Sequence, residues 1–327
     1  MTRAKIIGLG SYLPEKILTN SDFEKLVDTS DEWILTRTGI AERHIAADDE
    51  DTSDMCFKAA NLALKSADIK ATDIDLIIAA SVTPDYHLPS LACMIQKKIG
   101  AINAATMDVV AACAGFIHGL SIAQAYIATG AFKRIMVFGA EKLSSVTDYT
   151  DRNTCILFGD AAAVAIVAPS DDDSGILATY LKSDGRLDQL LYIEGGGTHL
   201  PFGRPENYDF KKAFIRMNGN EVFKHAVRHM GDAAMRVITD AGLKPEQVDL
   251  LVPHQANIRI VQATAKRLGL PVEKVFLNLK GVGNTSAASV PLALDQAVRQ
   301  GRIKKGDYVV SVAFGGGLTW GAVLFHW

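Results

Sequence analysis

The sequence predicts an α/β fold built from two similar halves. Apolar runs of strand length alternate with longer stretches of helical period. The strand-length runs are continuously apolar, as in sheets covered on both faces by helices. A pattern from the first half of the chain also returns in the second. In chain order, the spacing predicts a helix over residues 57–66, a strand over 75–82 (DLIIAASV), a helix over 90–99 and a buried strand over 105–110. A helix over 116–128 follows, because Phe116, Leu120, Ala123 and Ile127 fall on one face and Gly130 is a natural stop. Further strands are predicted over 135–139, 250–253 and 308–313, and a long helix over 220–240.

Residues 67–77 (ADIKATDIDLI) return as 241–251 (AGLKPEQVDLL), 174 positions later. Residues 130–140 (GAFKRIMVFGA) return as 301–316 (GRIKKGDYVVSVAFGG). Two echoes in the same order point to duplication. The polar cluster Pro169-Ser170-Asp171-Asp172-Asp173-Ser174-Gly175 marks the seam, giving halves at 1–174 and 175–327. A site is expected where they meet.

Composition bounds the function. The chain has 327 residues, 48% hydrophobic and 22% charged, which is globular composition. Thirty-four Lys and Arg against 37 Asp and Glu leave a net charge of -3, with no basic excess for nucleic acid. No apolar run approaches the roughly 20 residues of a membrane span, and the start lacks a signal-peptide core. Cys56, Cys93, Cys113 and Cys155 show no CxxC spacing, so no metal site is expected, and reduced thiols fit the cytoplasm.

Three positions suggest chemistry. Cys113 falls between a strand and a helix, where helix N–H groups and the macrodipole favour a thiolate. Small neighbours (Ala111, Ala112, Ala114 and Gly115) leave room for a ligand. His254 (LLVPHQANIRI) and Asn284 (GVGNTSAAS) mark ends of C-terminal-half strands, where α/β proteins place ligand-handling groups, Asn284 in a Gly-rich turn before a helix. The run Gly315-Gly316-Gly317 could bring backbone donors to an oxyanion. Other features are discounted. Gly8-Leu9-Gly10 lacks the third glycine of a dinucleotide loop, and Gly195-Gly196-Gly197 has no Walker lysine. His225 and His229 have helical ligand spacing but no third ligand, so they read as a solvated helix face.

The segments TSDEWILTRTGIAERHIA (29–46), ACAGFIHGL (112–120), DRNTCILFGDAA (151–162), MNGNEVFKHAV (217–227), VPHQANIRI (252–260), GNTSAAS (283–289) and FGGGLTWGA (314–322) resemble the β-ketoacyl-acyl-carrier-protein synthase III family in order and over the whole chain. The resemblance implies a thiolase-like fold, two duplicated α/β halves layered α-β-α-β-α. It implies a decarboxylative Claisen condensation of an acyl-CoA primer, acetyl-CoA first, with malonyl-acyl-carrier protein. No cofactor is expected beyond the coenzyme A thioester, and a homodimer is.

Position by position, the resemblance makes Cys113 the acylated nucleophile, His254 and Asn284 the pair that polarises the malonyl thioester, and Gly316 with the Cys113 amide the oxyanion hole. Trp33, Arg37, Arg152 and Phe223 would grip coenzyme A, with Asn220, Asn257 and Arg259 along the pantetheine path. Lys224, Arg259, Lys266 and Arg267 match a basic rim for the acidic carrier protein. Leu88 stands where the family often has a Phe that closes the acyl pocket across a dimer. Asn153, Ala161 and Ala163 replace family glycines, and the segment 195–210 is unusual beside the family. Readings in competition are a related enzyme with longer or branched primers, a cysteine thioester hydrolase and an acyl-CoA-binding scaffold.

Overall fold

The computed structural model describes residues 2–203 and 206–327; Arg204 and Pro205, inside the unusual segment 195–210, lie outside the described residues. Nine strands form two sheets. They are β1 (Ala4–Tyr12), β2 (Leu76–Ala80), β3 (Ala105–Val109), β4 (Ile135–Glu141), β5 (Ala161–Pro169), β6 (Gly175–Ser183), β7 (Leu250–Pro253), β8 (Tyr308–Gly315) and β9 (Thr319–His326). The first sheet has the order β3-β2-β4-β5-β1 and the second β7-β8-β9-β6. In the first, β2 runs parallel to β3 and β4, and β5 antiparallel to β4 and β1. In the second, β7 runs parallel to β8, and β9 antiparallel to β8 and β6. Thus β2-β4-β5-β1 and β7-β8-β9-β6 repeat one order and one set of directions. The repeat extends to the edge: where Ile77 pairs with Thr106, its echo Leu251 makes a single parallel bridge to Val275.

Six helices cover these sheets and a seventh lies beside them: α1 (Asp31–Thr38), which packs on α6, then α2 (Thr52–Ala67), α3 (Leu91–Ile99), α4 (Gly115–Thr129), α5 (Gly219–Asp240), α6 (Ile258–Arg267) and α7 (Ser289–Arg299). Phe116, Leu120 and Ile127 of α4, with Val290, Leu294 and Ala297 of α7, fill the space between the two sheets. Met55, Ala59 and Ala63 of α2 and Leu91 and Ile95 of α3 cover the outer face of the first sheet. Ala226, Met230 and Val237 of α5 and Ile260 and Val261 of α6 cover that of the second. The result is five layers, α-β-α-β-α. Each fully buried large side chain here contributes about 1.5–3 kcal/mol.

Local signals account for the boundaries. α2 begins five residues before the expected position because the Asp54 carboxylate accepts the Asp51 N–H (3.1 Å) and caps the first turn. Ser90 accepts the Cys93 N–H (3.2 Å) and starts α3 one residue late. The glycines of Gly8-Leu9-Gly10 belong to β1, which lies so close to α2 that a Cβ at Gly10 would stand 2.2 Å from the Ala59 carbonyl oxygen. The expectation of a buried strand over 105–110 is corrected. β3 is an edge strand with partly exposed residues, and Val110 just beyond it is 79% exposed, because no strand among the described residues pairs with its outer side. β4 runs two residues past its expected end and closes on Glu141, charged and fully buried.

Candidate active site

Cys113 sits in the single helical turn Ala112–Ala114 between β3 and α4. The turn is tight: Ala112 adopts φ 43°, and the Ala114 N–H bonds back to the Ala111 carbonyl (3.0 Å). The end of β8 presses on it from the other half. A Cβ at Gly315 would lie 2.6 Å from the Cys113 nitrogen, so only glycine permits this approach. The thiol is buried, and burial pushes its pKa up to about 12; the Ser286 hydroxyl acts to lower it and the Glu141 charge to raise it. Burial therefore works against the thiolate at this helix-terminal position.

His254 follows β7 directly, and its backbone N–H is held by the Val312 carbonyl of the neighbouring β8 (2.8 Å). The ring is 3% exposed, and burial lowers its pKa to about 4. The imidazole is neutral at pH 7 and carries one N–H; its Nδ1 has no partner among the described residues.

The expectation that Asn284 ends a strand is corrected: it follows the helical turn Leu279–Val282 and Gly283, and makes a single parallel bridge to Phe158. It is fixed on both sides. Its N–H donates to the Leu157 carbonyl (2.8 Å) and its carbonyl accepts from Gly159 (3.0 Å). Its side-chain Oδ1 accepts the Ser286 N–H (2.9 Å), which turns the Nδ2 donors away from that bond.

Two cavities meet at Cys113. The first, about 810 Å³, is lined by Cys113, His254 and Asn284 together with Trp33, Arg37, Asn220, Phe223, Asn257 and Arg259. The second, about 680 Å³, is lined by Cys113, Gly316, Ser286 and mostly apolar side chains such as Val82, Leu143, Phe158, Ile193 and Leu318. Cys113, Phe158 and Leu191 line both. One thiol thus separates a polar, basic-mouthed channel from an apolar pocket. This arrangement can accept an acyl group from the first space and store its chain in the second.

The mouth of the first cavity is built from paired aromatic and cationic groups. Arg37 and Arg152 stand 5.4 and 5.0 Å from the Trp33 ring centroid, and Arg259 stands 5.2 Å from that of Phe223. Arg152 itself does not line the cavity and donates to the Asp28 carbonyl (2.8 Å). Asn257 lines the cavity with its amide already committed: Oδ1 caps α6 through the Arg259 N–H (2.9 Å), and Nδ2 donates to the Arg37 carbonyl (2.9 Å). Of the basic rim, Lys224 pairs with Glu221 (2.7 Å) and Arg267 with Asp232, while Arg259 and Lys266 form no ion pair among the described residues. Leu88 is 87% exposed and lines neither cavity of its own chain. Asn153, one of the departures from the family, lines the first cavity.

The expectation of a solvated His225–His229 face is corrected. The His229 ring stacks on Trp320 (4.1 Å) and His225 stacks on His229, because α5 packs on β9. Sequence reasoning passed over Ser286 and Glu141. Ser286 lies inside a quoted motif, and an acidic residue ending an apolar strand was the available signal for Glu141.

With this geometry in place, comparison with known proteins is specific. The family model for 3-oxoacyl-[acyl-carrier-protein] synthase III matches residues 107–185, and that for its C-terminal region matches 238–327. The chain is 53% identical over 324 residues to β-ketoacyl-[acyl-carrier-protein] synthase III of Geobacillus kaustophilus, covering 99% of each chain. The crystal structure of the Aquifex aeolicus 3-oxoacyl-[acyl-carrier-protein] synthase III is similar at TM-score 0.93 and 48% identity, covering 99% of this chain and 100% of that one. The Thermus thermophilus β-ketoacyl-[acyl-carrier-protein] synthase III is similar at TM-score 0.92 and 44% identity, covering 99% of both. Whole-length identity near one half and a shared fold place this chain in the β-ketoacyl-acyl-carrier-protein synthase III family.

Proposed function

We propose that the chain condenses an acyl-CoA primer with malonyl-acyl-carrier protein, releasing carbon dioxide and coenzyme A and opening type II fatty acid synthesis. The observation that carries this reading is the position of Cys113 at the meeting of two cavities, with His254 and Asn284 in the channel and an apolar pocket behind. The Cys113 thiolate attacks the primer thioester and retains the acyl group, and coenzyme A leaves before the malonyl carrier enters. The amides of Cys113 and Gly316 hold the oxyanion. Decarboxylation then yields an enolate, which His254 and Asn284 stabilise as neutral donors. A ring held neutral by burial suits a donor to an enolate better than a group that must change charge. Loss of carbon dioxide drives the step, and the chemistry as written calls for no metal or nicotinamide.

Coenzyme A is read at Trp33, Arg37, Arg152, Phe223, Asn220, Asn257 and Arg259. Adenine is read against Trp33 together with Arg152, whose guanidinium stands 5.0 Å from the ring centroid, and phosphate near Arg37. The carrier protein is read at Lys224, Arg259, Lys266 and Arg267. Among the described residues no helix is long and apolar enough to cross a membrane. A cytoplasmic homodimer, in which Leu88 closes the partner's acyl pocket, completes the reading.

Intact-mass analysis with a panel of acyl-CoA lengths decides the primer and tests the nucleophile together. Cys113→Ala should take up no acyl group from any of them, and full labelling of this variant would overturn the assignment. His254→Ala and Asn284→Ala should still be acylated but lose condensation by about 10²–10³-fold. Normal condensation in either would remove its role at the enolate.

A further inference from the structure

Asn284 takes its direction from a strained neighbour. Its Oδ1 accepts the Ser286 N–H (2.9 Å), and Ser286 is held in the left-handed region at φ 47°. A residue with a Cβ stays in that region only where its surroundings over-determine it. Here the surroundings come from the other half of the chain. β4 lies so close to the helical turn Ser286–Ala288 that a Cβ at Gly139 would run into the Ala287 carbonyl. Side chains alternate along a strand, so Glu141, two residues on, points to the same face. Its Oε1 accepts the Ser286 hydroxyl at 3.1 Å.

The carboxylate is itself immobilised. Glu141 is fully buried, and its Oε2 accepts the Val82 N–H (3.0 Å) and the Thr83 and Ser81 hydroxyls (2.7 and 3.2 Å), all just past the end of β2. The neighbouring Lys142 does not neutralise it and sends Nζ to the carbonyls of Ala47 (2.8 Å) and Glu50 (2.9 Å). With Oε2 fixed, Oε1 stands as a rigid acceptor for Ser286. A hydrogen bond to a charged acceptor is comparable in size to the cost of one left-handed residue, so this contact suffices to hold the turn. Glu141 lines neither cavity, and the chemistry proposed above uses neither it nor Ser286.

We propose that Glu141 is a positioning residue for the condensation step: from the first half of the chain it tethers Ser286 in its left-handed turn, and Ser286 in turn fixes the direction of the Asn284 donors. The inference rests on the reading of Asn284 as a donor to the enolate. Glu141 acts through Ser286 and touches no reacting atom. The tether crosses the seam between the halves, so the half that carries the nucleophile also sets the aim of a donor in the half that receives the malonyl group.

The test is the rate of a single condensation turnover, started by adding malonyl-acyl-carrier protein to enzyme already acetylated at Cys113, so that differences in acylation drop out. Ser286→Ala keeps the Cβ and the strain but loses the tether, and its rate should fall about tenfold, as for the loss of one such hydrogen bond. Ser286→Gly also lacks the hydroxyl but adopts φ 47° freely, and should stay within about threefold of wild type. A hydroxyl that acted on the substrate, or merely filled space, would be missed equally in both. Glu141→Ala should match Ser286→Ala, and adding Ser286→Gly to it should restore the rate. Should the gap left in Glu141→Ala prevent folding, the two Ser286 variants decide alone. In an Asn284→Ala background, Ser286→Ala should cost no more than about twofold further, because both act through one amide. Ser286→Ala at the wild-type rate, Ser286→Gly as slow as Ser286→Ala, or full additivity with Asn284→Ala overturns the tether. Asn284→Ala condensing at the wild-type rate would instead sink the reading of Asn284 at the enolate, a result separate from these.

Discussion

Asn284 illustrates how one side chain acquires a direction. Its backbone is clamped by Leu157 and Gly159, and its Oδ1 is consumed by the Ser286 N–H, so only the Nδ2 donors remain for a ligand. Asn284→Asp keeps an acceptor for Ser286 and hence the turn, but replaces the donor by a charge of the same sign as an enolate. Acyl transfer to Cys113 should stay within a few-fold of wild type, and condensation should fall by at least about 10²-fold. Single-turnover measurement of the two steps checks this; condensation within threefold of wild type would mean that Asn284 does not face the reacting oxygen. Cys113 and His254 were legible because each sits just past a strand, and Asn284 because it lies in a Gly-rich turn before a helix, although that turn follows a helical turn rather than a strand. Ser286 was not, because its place beside the site comes from a left-handed backbone and a contact with Glu141, 145 positions away.

At the scale of elements, the site depends on how closely β8 approaches the Cys113 turn. Gly315→Ala would place a methyl 2.6 Å from the Cys113 nitrogen, against backbone that cannot give way. Overpacking of this kind costs about 1–3 kcal/mol, and moving the oxyanion donors should slow acylation at least tenfold. Gly281→Ala is the control: nothing lies within 4 Å of its Cβ position in the helical turn Leu279–Val282, so stability should hold or rise by up to about 1 kcal/mol. Urea denaturation and acylation rates of the two variants check the contrast; equal behaviour would show that the β8 approach is slack. The long periodic elements α4 and α5 and the all-apolar β2 could be read from sequence because local period and global burial agree there. β1 could not, because its glycines answer to the backbone of α2 rather than to strand propensity. The partly exposed edge strand β3 was misread as buried because four of the six residues expected there are apolar, and only the sheet order reveals that no strand among the described residues pairs with its outer side.

At the scale of the whole molecule, burying this site in the centre of five layers ties stability to pH through two groups of opposite sense. His254 is lowered from 6.5 to about 4, so the unfolded chain binds the extra proton between these values. Its contribution is fully present above pH 6.5 and is lost as pH falls toward 4. Glu141 is raised from 4.5 to about 7, so the folded chain holds the extra proton. Its contribution is fully present below pH 4.5 and is lost as pH rises through 7. Each amounts to about 3 kcal/mol at 1.36 kcal/mol per unit, and between pH 4.5 and 6.5 they run against each other. Removing one should expose the other. The stability of wild type relative to His254→Gln should rise with pH across 4–6.5, and that of wild type relative to Glu141→Gln should fall across 4.5–7. Urea unfolding at half-unit steps through this range measures both differences. Slopes of the same sign would mean that one of the two groups is not carried into the core in the protonation state its surroundings dictate. The proton budget of the site would then have to be redrawn from that residue outward.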